Sequence, residues 1–216
     1  SPVGFEALIR LEGENGLISP DKFLNSLYQV SLLSDFPVDH YSLLDELISK
    51  IRPSLHGWIS YNVNELDLGD SCFDRLLYTL STCATQYNRD LVLEISETTF
   101  QTAQNSSSIL DRISLLKSRG FQIALDDFGV LSSNIFALSS LPVDIIKLDK
   151  FLITDIETNL KNQRIIESLQ DLSKTLGFKL LAEGIESQSE ADCLKDLGID
   201  LHQGYLYGKA MPTKNF

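Results

Sequence analysis

The sequence predicts an α/β fold in which parallel strands are arranged as a (β/α) barrel, and three features carry that reading. Strand-like apolar runs alternate along the chain with amphipathic helical stretches, the signature of repeated β-then-α units. Polar residues of the kinds that chemistry uses recur in or just after the strand-like runs, mostly toward their C-terminal ends. The composition, 43% hydrophobic and 22% charged over 216 residues, belongs to a globular chain that buries a core without staples.

The strand-like runs are VGFEALI (3–9), GWISYNV (57–63), DLVLEIS (90–96), FQIALDD (121–127), VDIIKLD (143–149), FKLLAEG (178–184) and IDLHQGY (199–205). Between them, residues 105–120 set Ile109, Leu110, Ile113 and Leu116 on one helical stripe that stops at Gly120. Residues 162–177 set Ile165, Leu169, Leu172 and Leu176 on one face and stop at Gly177. Glu6, Asn62, Glu94, Asp126, Lys147, Glu183 and Gln203 each sit in or just after one of these runs, mostly toward its C-terminal end. An open doubly wound sheet would spread those ends along an edge, whereas a barrel gathers them at one mouth. The barrel therefore fits better. A barrel of this type usually has about eight strands in about 250 residues, so its N-terminal strand is expected to be absent from this chain. No Pro/Gly-rich linker divides the sequence, and residues 1–216 read as a single domain.

Lys and Arg number 18 against 30 Asp and Glu, for a net charge of −12. That balance excludes a broad surface for a nucleic-acid polymer, although metal ions can still supply local positive charge to a phosphate ester. Cys72, Cys83 and Cys193 show no ligand spacing and read as reduced thiols. No apolar run reaches the roughly 18 residues of a membrane helix, so a cytoplasmic domain is expected, in a parent protein with room for a membrane anchor. His40, His56 and His202 lack paired spacing and read as structural, and no G-x-S-x-G, Walker or G-x-G-x-x-G pattern occurs.

Asp126 and Asp127 are the sharpest feature. Two acids after a strand often mark a solvated loop or a helix cap. Converging with Glu6 and Glu94, they would repel unless a cation neutralised them. Carboxylate and amide oxygens suit Mg²⁺, Mn²⁺ or Ca²⁺ rather than zinc, and one bridging aspartate with a neighbour suits two ions about 3.5–4 Å apart. Asn62 offers an amide oxygen, with Asn64 as a rival. Lys147 reads either as an ion pair with Asp149 or as a group that orients water. Glu183 and Glu186 read alternatively as helix-start acids, and Gln203 as a plain strand-end amide.

Six blocks in order, EALIR (6–10), LEISE (93–97), DDFG (126–129), LPVDIIKLD (141–149), LAEGIES (181–187) and QGYLYGKAMP (203–212), resemble an EAL domain. That family comprises bacterial cyclic di-GMP phosphodiesterases built on a modified (β/α)₈ TIM-type barrel. The resemblance implies that Glu6, Asn62, Glu94 and Asp126 bind one divalent ion, Mg²⁺ or Mn²⁺, and that Asp126 and Asp127 hold a second with Glu183 close by. It makes Glu6, Glu183 and Lys147 catalytic, with Lys147 positioning the hydrolytic water. Leu8, Arg10 and Gln203 would line the substrate, and Glu97 and Glu186 would support. Cyclic di-GMP would be cut to linear pGpG, with Ca²⁺ inhibitory. A homodimer and sensor or diguanylate cyclase domains in the same parent protein are further expectations. The chain departs from the family pattern at Val130–Asn134, where Leu131 replaces a glycine and restricts the backbone, and at Leu11, where the family tends to have Trp. The altered loop keeps a second reading open, a catalytically weak EAL-like receptor or protein-interaction module; an unrelated metal-dependent barrel lyase is a third.

Overall fold

The computed structural model describes residues 3–14, 16–23, 46–50, 57–69, 73–88, 90–104, 106–129, 138 and 142–212. The chain divides into two compact units, one of residues 1–62, 66–91 and 211–216, the other of residues 63–65 and 92–210.

In the first unit β1 (Gly4–Ala7) runs parallel to β4 (Trp58–Val63), with Glu6 opposite Ser60. Between them β2 (Leu11–Gly13) and β3 (Gly16–Ile18) form an antiparallel hairpin. This hairpin falls outside the strand-like runs, because three-residue arms carry almost no periodicity. The one signal for it was the Asn-Gly pair at 15–16. Helix α1 (Phe73–Tyr87) buries Phe73, Leu76, Leu80 and Cys83, a stripe at i, i+3, i+7 and i+10.

The second unit holds β5 (Leu91–Ser96), β6 (Gln122–Phe128), β7 (Ile145–Leu148), β8 (Lys179–Ala182) and β9 (Leu201–His202). Each strand pairs in parallel with the next in sequence. This order never reverses, so it has no switch point of the doubly wound kind and matches the winding of a barrel. The connections carry α2 (Glu97–Gln104), α3 (Ser107–Ser118), α4 (Lys150–Ile153), α5 (Leu160–Leu176) and α6 (Gln188–Asp196). Leu91 to Ile95 and all of β7 are buried, as expected of strands covered on both faces. Among the described residues no helix is long and apolar enough to cross a membrane.

Helix α3 buries Ile109, Ile113 and Leu116, with Leu110 at the margin. In α5 the stripe read from the sequence is not the buried one. The helix buries Ile166, Leu169 and Ser173, while Ile165 and Leu176 stay 38% and 41% exposed. Two adjacent isoleucines left the phase open by one residue, about 100° of rotation. Docking against β8 selects the phase in which Ser173 lies inward, its hydroxyl donating to Gln170 O at 2.8 Å. The helix ends at Gly177, left-handed at φ 83°.

The segments after β8 and β9 cross closely. Ile185 N donates to Gln203 O at 3.1 Å and Leu206 N to Ile185 O at 3.1 Å. A Cβ at Gly204 would lie 2.1 Å from Ile185 O, so no larger residue fits without moving that backbone. Gly204→Ala is expected to cost about 1–3 kcal/mol, read as a lower urea midpoint; an unchanged midpoint would mean that the crossing yields freely.

Candidate active site

Adjacent residues on a regular strand face opposite sides, so Asp126 and Asp127 should not share a site. β6 solves this by a register shift. Leu125 pairs with Ile146 and Phe128 with Leu148, three steps on β6 against two on β7, which is a one-residue bulge. Asp127 sits in the bulge at φ 58°, a left-handed conformation that aspartate tolerates better than most residues. Oxygens of Asp126, Asp127 and Glu183 consequently lie within 4.8 Å of one another. Glu183 directly follows β8, its N–H donating to Leu148 O at 3.0 Å.

Lys147, only 2% exposed, projects from β7 into these acids. Its Nζ lies 2.8 Å from Glu94 Oε2, 3.0 Å from Asp126 Oδ1 and 2.8 Å from Glu183 Oε1. It donates a hydrogen bond to Glu94. The approach to Asp126 is close enough for an ion pair but lacks hydrogen-bond geometry, and that buried Oδ1 has no hydrogen-bond donor among the described residues. Asp149, the other reading of Lys147's counter-ion, caps α4 by accepting from Phe151 N at 2.7 Å. Burial pushes the Glu183 carboxyl up to about 7; Lys147 opposes this, and the negative charges of Asp126 and Glu94 add to it. Excess negative charge, an oxygen-only donor set and an orphaned carboxylate oxygen fit a hard divalent cation such as Mg²⁺ or Mn²⁺.

In the first unit Asn62 Nδ2 donates to Glu6 Oε1 at 3.2 Å, so these two expected ligands meet each other. Leu8 is 41% exposed, and the exposed Arg10 guanidinium donates to Ile9 O at 2.7 Å. Gln203 follows β9, half-buried, with its N–H on Ala182 O at 2.8 Å. Glu97 opens α2 and is buried; Gln101 Nε2 donates to its Oε1 at 3.2 Å, and its Oε2 has no hydrogen-bond partner among the described residues. Glu186 stands apart from the acids around Lys147, about half-exposed in an ion pair with Lys150. The first-turn acid of α6 is Glu190, in a capping box with Ser187, rather than Glu183 or Glu186. His202 uses both ring nitrogens, on Tyr207 OH and Ile199 O, each at 2.7 Å, as a structural histidine should. Val130–Asn134, His40, His56 and Cys72 lie outside the described residues. Neither the bulge nor the threefold contact of Lys147 was legible beforehand; the only local hint was a doubled acid ahead of Phe128-Gly129.

A carboxyl raised from 4.5 to about 7 favours the metal-free fold fully below its unfolded value and loses that contribution as pH rises through about 7. The metal-free protein should therefore melt lower at pH 8 than at pH 5.5, with Mg²⁺ stabilising more at pH 8. Glu183→Gln should flatten the difference; an equally steep profile in that variant would assign it to other groups.

The EAL domain family model matches residues 1–210. The chain is 33% identical over 208 residues to the probable cyclic di-GMP phosphodiesterase PdeA of Escherichia coli K12, covering 96% of this chain and 28% of that protein. It is 29% identical over 222 residues to the bifunctional diguanylate cyclase/cyclic di-GMP phosphodiesterase MucR of Pseudomonas aeruginosa, covering 98% and 31%. The chain thus spans less than a third of either relative. A solved structure of the PaMucR phosphodiesterase in complex with c-di-GMP superposes with a TM-score of 0.79 at 28% identity, over 99% of this chain and 91% of that one. The FimX EAL domain of Xanthomonas citri, at 18% identity and TM-score 0.79 over 100% and 85%, shares the fold. By the match along nearly its whole length and the fold it shares with these structures, this chain belongs to the EAL domain family, with that family's TIM-barrel type of α/β fold.

Proposed function

We propose that this chain is a cyclic di-GMP phosphodiesterase module that cuts its substrate to linear pGpG with divalent metal. The observation that carries the reading is the bulge in β6, which puts Asp126 and Asp127 beside Glu183, with buried Lys147 among Glu94, Asp126 and Glu183. A site meant only for structure would not concentrate so much unbalanced charge in a sheet.

Asp126, Asp127, Glu183 and Glu94 would hold two Mg²⁺ or Mn²⁺ ions, and the resemblance assigns Glu6 and Asn62 as further oxygen ligands. When bound, the ions supply positive charge to the phosphodiester and to the negative charge that develops on it. Lys147 Nζ would donate to the attacking water and orient its lone pair toward phosphorus, while Glu94 Oε2 holds that ammonium in place. The new bond forms between water oxygen and phosphorus; one ring P–O bond breaks in line, and the leaving ribose oxygen takes up a proton. Arg10, at a phosphate, Leu8 and Gln203 would each contribute to substrate binding, and Glu97 and Glu186 would support. The module is proposed to work as one EAL-type domain over residues 1–216, in the cytoplasm, as a homodimer, within a longer signalling protein that has sensor or diguanylate cyclase domains. A receptor role is the second reading, favoured by Leu131 at a glycine position of the family pattern.

The test is chromatographic detection of pGpG in Mg²⁺ or Mn²⁺, with cyclic di-GMP binding measured in Ca²⁺. Metal-dependent pGpG is expected, falling at least about a hundredfold in Asp126→Ala and Glu6→Ala. Near-normal turnover in either variant would remove the metal assignment. Binding without product would establish the receptor, and Leu131→Gly should then raise the rate if the loop restrains it. Neither binding nor product would overturn both readings.

A further inference from the structure

We propose that Lys147 is the resident counter-cation of the metal-free site and competes with divalent metal for Asp126 and Glu183, so that its ammonium sets the metal affinity. The proposal rests on the divalent-metal reading above. Nζ touches Asp126 Oδ1 at 3.0 Å and Glu183 Oε1 at 2.8 Å, and these two residues, with Asp127, form the candidate metal cluster. Mg²⁺ needs its oxygens at about 2.0–2.1 Å. Two cations sharing those oxygens would stand only a few ångströms apart in a buried setting, where repulsion is poorly screened. Occupancy by the metal therefore requires the ammonium to withdraw.

The geometry also gives the direction of withdrawal. The ammonium donates a hydrogen bond to Glu94 at 2.8 Å and is paired with Glu183 at the same distance. Asp126 Oδ1 is buried and receives none. Asp126 is thus the oxygen most readily released, and Glu94, outside the Asp126–Asp127–Glu183 cluster, is the carboxylate left to neutralise Lys147 while those three pass to the metal. Without metal the ammonium keeps the acids from forcing the strand ends apart. With metal it stands aside, close to where the reaction proceeds.

The experiment is Mn²⁺ titration of the whole chain without nucleotide at fixed pH, followed by electron paramagnetic resonance and by melting temperature, for wild type, Lys147→Met and Lys147→Gln. Both variants are expected to bind Mn²⁺ at least about tenfold tighter, the scale of a neighbouring-charge effect. They should melt lower than wild type without metal and gain more on its addition. If Lys147→Met folds only with Mn²⁺, it is purified in the metal and its affinity is read by chelator competition, with tighter retention than wild type again expected. Equal or weaker Mn²⁺ binding in the variants overturns the competition and leaves the metal site standing. Absence of Mn²⁺ binding in wild type and variants alike overturns the metal reading and the proposal with it. Asp126→Asn marks the site, since its loss of binding shows that the titrated Mn²⁺ is the one in question.

Discussion

The charge balance around one ammonium governs the second unit. Lys147 and Glu94 are 2% and 3% exposed on strands otherwise lined by apolar residues, and removing an ion from water costs several kcal/mol even after relaxation. Neither group is tolerable alone. Strands two places apart are separated by roughly 9–10 Å, yet Lys147 on β7 reaches Glu94 on β5 across β6. The long lysine stem lies along the apolar sheet and its charged head meets the acids at the strand ends. Parallel pairing in sequence order brings these residues to one level, so the fold and the charge cluster depend on each other.

The second constraint is local. A strand has period two, and no regular strand presents consecutive residues to one site. β6 gives up regularity for a single residue, at Asp127, and recovers its pairing with β7 by Phe128. A left-handed aspartate and a bulge are both costly in a plain sheet. Their coincidence at the doubled acid marks a place where backbone regularity has been exchanged for carboxylate placement.

Much of this was legible in the sequence, and the misses have physical causes. Among the described residues each apolar run holds a parallel strand, and the runs of β5 and β7 were plainest because strands buried on both faces need little more than apolar residues and length. The expected site residues at β5, β6, β7 and β8 converge because parallel winding puts like ends together. The α5 stripe failed because Ile165 and Ile166 both satisfy helical periodicity, and only docking on β8 separates them. Lys147 was visible as an unusual lysine in a strand, but its partners lie 53, 21 and 36 positions away in sequence, and pattern carries no such distances. Glu186 shared the motif of Glu183 without sharing its surroundings.

That last contrast shows how two site residues beyond the strands, Glu183 and Gln203, are held in place. Glu183 and Gln203 are loop residues, but their N–H groups donate to Leu148 O and Ala182 O, continuing the β7–β8 and β8–β9 ladders by one step. Their backbones are held as strands are held while their side chains remain available for chemistry. Ile185 then crosses Gly204 and ties the two extensions together. One residue later the order ends: Glu186 N turns to Glu190 Oε2 at 2.9 Å, the chain enters the cap of α6, and its carboxylate goes to Lys150 on the surface. The edge of the site is therefore set by backbone hydrogen bonding, which separates Glu183 from Glu186 within one motif.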